Sequence, residues 1–439
     1  MKNLHRLSAV FTLCASFGLS AQAQSLADLY KSARDFDASF QSAKLLYEAN
    51  LSKAEQSKAL ELPTVNLAMG ANRINIASDL ATAERSYGNQ NASLSASMPL
   101  FRPFNKASAE QGQKSLDAAK ALLNVAEQSL IVQVSQTYFD VLAAHDSLGF
   151  VQAQKTAVAE QLASAKRNFE VGTATITDTR EAQARFDLVL AQEIAAENDL
   201  RVKKIALDQL TGKTGASPKP LSGSISISAI TPNDVNHWVT QSESTHPNIQ
   251  QAQTALEVAK LEIEKAQSGN KPTLDLTGSY SVTQNNGSTS TLLDYRTNVA
   301  SVGLVFNLPL FNGYATQNRI KETISLEEQA RANVEAAKRA VAQATRTAFF
   351  GVQSGLGQVK ALEAAQASSQ SALDATKLGY QVGVRINVDV LNAQSLLFDT
   401  KIRLAKARYD VLLGGLKLRQ ANGTLGAADM QAVSSLLSP

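Results

Sequence analysis

Leu62-Pro63-Thr64-Val65-Asn66-Leu67 returns about 210 residues further on as Lys271-Pro272-Thr273-Leu274-Asp275-Leu276. The match continues in order along the chain. Pro99-Leu100-Phe101 answers Pro309-Leu310-Phe311, and Phe169-Glu170-Val171-Gly172 answers Tyr380-Gln381-Val382-Gly383. Asp178 with Ala182-Gln183 answers Asp389 with Ala393-Gln394. The register drifts by only a residue or two, so the chain is an internal duplication. The first repeat is taken as residues 24–225 and the second as 226–439, the latter including a C-terminal segment.

Each half reads in one order. A helix of about 35 residues (27–61, 234–268) ends at Pro63 or Pro272. Two strand-like segments with a polar loop between them follow. A very long helical stretch (104–170, 314–380) is broken at Val171-Gly172 or Val382-Gly383, and a last helix of about 35 residues stops near Gly212 or Gly423. Alanine and straight-chain residues fill these helices, with proline and glycine mainly at their ends. At 1.5 Å per residue the long helix spans about 100 Å and each short one about 50 Å. Two short helices end to end therefore match one long one. The Ser-, Pro- and Gly-rich junction at 214–233 is then expected at the middle of a rod.

The strands say where the rod is anchored. Leu94, Ala96, Met98 and Leu100 alternate with Ser93, Ser95 and Ser97. Leu274, Leu276, Tyr280 and Val282 oppose Asp275, Thr277, Ser279 and Ser281, and Val302, Leu304, Phe306, Leu308 and Leu310 share one face. Residues 65–71 show a weaker version, and the Asn/Ser/Thr-rich loops 73–90 and 283–297 read as exposed. Ten-residue segments of this alternation mark membrane-barrel strands. By alternation alone, soluble hairpins on a helical core fit as well. Export, the lack of another anchor and rod-length helices weigh for the membrane. Four strands cannot close a barrel, and an open edge is not tolerated in lipid. Two copies give eight strands with a filled interior, whereas three give twelve and the beginning of a lumen. Cyclic closure as a homotrimer is expected, although spacing alone leaves the number of copies open.

Residues 1–23 read as a signal peptide: Lys2 and Arg6, an apolar Leu7–Leu19, then Ala21-Gln22-Ala23 before Gln24. Its removal takes away two positive charges and no acid, so the formal net charge of +3 falls to +1, which does not suit nucleic acid. The single cysteine, Cys14, lies in that segment behind Leu13, a context unlike a lipidation site. No later run of 18 apolar residues suggests a spanning helix, and an aromatic content of 6% favours packed helices over a conventional barrel.

Catalytic patterns are missing. Leu210-Thr211-Gly212-Lys213-Thr214 resembles the tail of a phosphate loop, but Leu207 stands where its first glycine is needed, and Gly212 reads better as a helix stop. His145, His237 and His246 lack metal-ligand spacing, and no nucleophile elbow occurs. Neither an enzymatic activity nor a cofactor is expected.

In the passages Phe169–Gly172, Ile176-Thr177-Asp178 and Ala182-Gln183-Ala184, the chain resembles the TolC family of outer-membrane secretion and efflux ducts. Gly379–Arg385, Val388–Leu391, Ala407-Arg408-Tyr409 and Gly423-Thr424-Leu425 carry the same resemblance in the second half. It covers essentially the whole mature chain and is stronger to the type I secretion branch than to the lipidated multidrug-efflux members. It implies an α+β membrane protein, a trimeric twelve-stranded β-barrel in the outer membrane continuous with a helical tunnel in the periplasm. It also implies an inner-membrane transporter and a periplasmic adaptor as partners. By the same resemblance, Tyr380 and Arg385 would latch to Thr177 or Asp178 at the tunnel entrance, Asp389 would line a constriction, and Asn392 would stand where the family has a second acid. From spacing alone, Asp178 and Asp389 read as helix caps, Arg385 as a solvated charge and Tyr380 as packing. The competing class is a poreless periplasmic or surface coiled-coil rod or adaptor.

Overall fold

A computed structural model describes residues 24–77, 85–220, 230–288 and 291–435. The expected signal peptide, the repeat boundary at 225/226 and the middle of the first polar loop lie outside the described residues. Helices α1 (Leu26–Phe36) and α2 (Ala38–Lys58) lead to strands β1 (Thr64–Ile76) and β2 (Arg85–Phe101), then to α3 (Pro103–Glu170) and α4 (Ile176–Thr211). The second repeat gives α5 (Val235–Thr245), α6 (Pro247–Ser268), β3 (Thr273–Asn286), β4 (Asp294–Asn307), α7 (Ala315–Gln381) and α8 (Asn387–Asn422). A short α9 (Ala427–Ser434) is the last described element. The long helices have 68 and 67 residues, hence about 100 Å each.

The last helix of each half, α4 and α8, is a single helix of 36 residues as expected, but the first (27–61, 234–268) is in fact two, α1 with α2 and α5 with α6. The break falls at Asp37 and at its counterpart His246. Asp37 ends α1 and caps α2 by accepting the Phe40 N–H at 2.7 Å. His246 ends α5 and caps α6 by accepting the Asn248 N–H on Nδ1 at 3.1 Å, with Pro247 opening the new helix. Both breaks are also closely packed. Gly212 and Gly423, the left-handed residues that end α4 and α8, press against these breaks. A Cβ on Gly212 would fall 2.6 Å from the Phe36 ring, and one on Gly423 2.5 Å from the His246 Cα.

The four strands form one antiparallel sheet in the order β1-β2-β3-β4. Their registers repeat with the sequence: Thr64 faces Ser97 as Thr273 faces Asn307, and Met69 faces Ala92 as Gly278 faces Val302. Across the sheet one face carries Val65, Leu67, Met69, Leu94, Met98 and Leu276, continuing through Tyr280, Val302, Leu304 and Phe306, and most of these side chains are exposed. The other face carries Asn66, Ser93, Ser95, Thr277, Ser279 and Ser301. The strands are longer than the alternation suggested, at 13 to 17 residues. Arg73, Gln90 and Thr297 of the expected loops belong to them. β4 stops at Asn307, so Leu308 and Leu310 lie beyond the sheet. Among the described residues, the outer edges of β1 and β4 have no strand beside them.

Buried side chains form clusters strung along the rod rather than one globular core. The largest joins Leu29, Tyr138, Phe139 and Leu207 to Tyr409, Leu416 and Met430. Tyr138 lies midway along α3, and its hydroxyl donates to the Lys219 carbonyl at 2.9 Å. Beside it, the Gln24 N–H donates to the Ser217 carbonyl at 2.8 Å. The described part of the junction thus sits at mid-rod, as the lengths required.

Candidate functional site

Two matching turns end the rod opposite the sheet. After α3, the Asn168 carbonyl accepts the Thr173 and Ala174 N–H groups at 2.8 and 3.1 Å; after α7, the Gly379 carbonyl accepts those of Val384 and Arg385 at the same distances. Gly172 and Gly383 supply the positive φ each turn needs, 78° and 80°.

The helices that follow start differently. Thr175 and Asp178 form a capping box at the start of α4: Asp178 N donates to Thr175 Oγ1 at 3.2 Å, while Asp178 Oδ2 accepts from Thr175 N and Oγ1 at 2.9 and 2.7 Å. The cap reading of Asp178 is right. In α8 the equivalent N-cap is Ile386, which has no side chain able to make the box. Asp389 is therefore free of that duty and faces Arg385 one turn back, Nη1 to Oδ2 at 3.6 Å. One threonine-to-isoleucine difference separates the two aspartates' roles.

Within a single chain, Tyr380 and Arg385 engage neither Thr177 nor the Asp178 carboxylate. The Tyr380 hydroxyl accepts from Asn168 Nδ2 at 3.2 Å, Arg385 pairs with Asp389, and Thr177 is exposed. The two coil pairs do meet at this end. Asn387, fully buried, donates from Nδ2 to the Asp178 carbonyl at 3.4 Å and accepts from Gln161 Nε2. Farther along, Arg185 Nη2 donates to Asn392 Oδ1 at 2.7 Å, joining α4 to α8. Sequence reading missed Asn168, Asn387 and Arg185. The only available signal was their polarity inside otherwise alanine-rich helices.

The chain matches the family model described as outer membrane efflux protein twice, over residues 29–213 and again over 238–424. One match falls on each repeat. The chain belongs to this outer membrane efflux protein family. It is 33% identical to the outer membrane protein TolC of Vibrio cholerae over 98% of both chains. It is 28% identical to the alkaline protease secretion protein AprF of Pseudomonas aeruginosa, over 94% of this chain and 88% of that protein. The solved structure of the CmeC outer membrane channel of Campylobacter jejuni superposes with a TM-score of 0.79 at 15% identity, covering 100% of this chain and 98% of that one. The outer membrane protein VceC of Vibrio cholerae superposes at 0.78 and 18%, over 91% and 96%.

Membership in the outer membrane efflux family makes the protein an outer-membrane duct of the secretion and efflux type. The sheet is its membrane part and the rod its periplasmic part. Its relatives are channel proteins, which removes the poreless-rod reading. No described helix is long and apolar enough to cross a membrane, so the exposed apolar face of the sheet is the surface suited to lipid.

Proposed function

We propose that three copies of this chain close into a barrel of twelve strands, four from each, over a helical tunnel whose periplasmic tip is a gate. Four strands with two free edges and one continuous apolar face support this reading, because lipid accepts only closed sheets. In the gate, Arg385 and Tyr380 latch the α7–α8 turn to Thr177 and Asp178 on the α3–α4 turn, and Asp389 with Asn392 lines the constriction. The observation that carries the latch is the Asn387 bond to the Asp178 carbonyl, which brings the start of α8 beside the residues assigned to receive Arg385. Arg385 is itself largely exposed and, among the described residues, held by one long ion pair, a bond worth little in water. It is free to exchange Asp389 for Asp178.

As a passive duct, the protein takes its driving force from an inner-membrane transporter and a periplasmic adaptor, which untwist the tip on docking. A small, long-lived, cation-selective conductance is expected from the purified protein in a planar bilayer. Arg385→Ser should raise that conductance sharply, and Asp389→Ala should reduce the selectivity for cations. Unchanged conductance in Arg385→Ser would remove the latch. Anion selectivity indifferent to Asp389→Ala would remove the constriction.

A further inference from the structure

Where the sheet passes into the rod, its apolar face ends in a recess of about 470 Å³ whose walls include Glu61, Leu100, Phe101, Arg102, Lys106 and Lys271. β2 and β3 are the inner strands of the four. The end of β2, the start of α3 and the approach to β3 therefore build the recess within one chain. Leu100 continues the apolar row of Leu94 and Met98. Phe101, opposite Leu274 beyond the irregular step at Pro99, stays on that face. Both are open to the outside, at 48% and 50% exposed. The charged groups differ in what they already hold. Arg102 is committed to Asp275. Among the described residues, the Lys106 and Lys271 ammonium groups and the Glu61 carboxylate make no ion pair and no side-chain hydrogen bond. The duplication does not repeat this set: Thr316 stands at the position of Lys106, Leu62 at that of Lys271 and Asn270 at that of Glu61.

We propose that this recess seats the headgroup of a glycerophospholipid from the periplasmic leaflet, of the phosphoethanolamine kind. Lys106 and Lys271 hold the phosphodiester, Glu61 takes the amine, and the acyl chains run up the sheet over Phe101, Leu100 and Met98. Position supports this first. The sheet is the membrane part and the rod the periplasmic part, so the recess lies where hydrocarbon gives way to headgroups. A lysine at that depth lays its methylenes along apolar surface and keeps its ammonium at the interface, and basic pockets at that level bind lipid phosphate. Charge supports it next. Two uncommitted cations and one uncommitted anion match a phosphodiester that carries an amine. A headgroup with no amine would leave Glu61 facing like charge. Continuity is the third support, because a polar wall that opens directly onto a lipid-facing apolar row suits a ligand with both parts. A free phosphate would use the polar wall alone.

The inference rests on the outer-membrane placement of the sheet and not on the number of copies. Native mass spectrometry of the purified protein in detergent, offered equimolar phosphatidylethanolamine and phosphatidylglycerol, tests it. One phosphatidylethanolamine per chain should be retained in preference. Lys106→Gln and Lys271→Gln should each weaken that retention about fivefold. Lys114→Gln and Lys120→Gln, which remove exposed charges farther along α3, should leave it unchanged. Glu61→Gln should bring the two lipids to equal retention. Glycerophosphoethanolamine, which has the headgroup without the chains, should not displace the lipid. Equal retention by the wild type and by the double lysine variant, with the same melting temperature, would overturn the site. Displacement by glycerophosphoethanolamine or inorganic phosphate at the lipid's own concentration would replace the lipid with a free anion. A preference for phosphatidylglycerol that survives Glu61→Gln would overturn the amine's place. A protein absent from isolated outer membranes would instead remove the placement on which the site depends.

Discussion

Arg102 Nε and Nη2 donate in parallel to the two carboxylate oxygens of Asp275, at 2.7 and 2.6 Å. Arg102 is the residue between β2 and α3, and Asp275 is buried on the polar face of β3. The fork therefore ties the first repeat to the second where the sheet passes into the rod, with the planar bidentate geometry that favours arginine over lysine. The duplication places Asn312 and Asn66 at the equivalent corner, so each chain carries this charged clamp once.

Removing one partner of the clamp should cost more than removing both. Asp275→Ala leaves a guanidinium without its acceptor, and Arg102→Met leaves a buried carboxylate. Because the arginine side chain is 44% exposed, solvent recovers part of the loss. The coupling in a double-mutant cycle is expected at about 1–2 kcal/mol. It is read from thermal unfolding in detergent. A coupling indistinguishable from zero would mean that the corner is held by packing alone.

Gly423 and Gly383 separate two costs that glycine replacement can carry. Both have positive φ, 84° and 80°. A Cβ on Gly383 meets open space, whereas one on Gly423 strikes the His246 backbone. Gly383→Ala should destabilise by about 1 kcal/mol, the left-handed penalty. Gly423→Ala should cost clearly more, since backbone must move as well. Equal melting shifts in the two variants would contradict the close packing at the α5–α6 break.

Burial lowers the pKa of His246 below its ordinary value, and its Nδ1 must be unprotonated to accept the Asn248 N–H. The folded state therefore binds a proton less readily than the unfolded chain. The contribution is complete above the unfolded value of about 6.5 and is lost as pH falls toward the folded one. His246→Asn keeps a capping acceptor without the titration. The wild type should lose stability relative to this variant below about pH 6.5, while the difference stays flat above pH 7. Melting curves across that range decide it. Glu262, whose pKa is lowered by bonds from Gln111, Lys265 and Arg319 despite opposing desolvation, falls outside this window. Its contribution is lost only under more acidic conditions.

The two faces of the sheet should respond oppositely to charge. Leu304 and Ser301 lie three positions apart on β4 and point to opposite sides. Leu304→Arg on the apolar face should cost about 2–4 kcal/mol if it lies near the bilayer midplane, read as reduced barrel assembly and lower melting temperature. Ser301→Arg on the polar face should be tolerated structurally and should alter conductance. The reverse pattern would turn the sheet inside out.

Much of the molecule is determined by residues close together in sequence. The duplication, the 68- and 67-residue helices, the alternating strand faces and the Thr175–Asp178 capping box depend on periodicities and caps spanning a few positions, and these are legible without a fold. Even the different fate of Asp389 is written one turn upstream, in Ile386. Other features exist only because distant elements pack at particular rotations. At the breaks at Asp37 and His246, Gly212 and Gly423 lie so close to the Phe36 ring and the His246 backbone that no Cβ would fit. The Arg102–Asp275 clamp and the Asn387–Asp178 tie join residues 173 and 209 positions apart. No local pattern encodes such pairs, because a side chain's partner across a seam depends on how two helices or strands are rotated and staggered, and tertiary packing alone sets that.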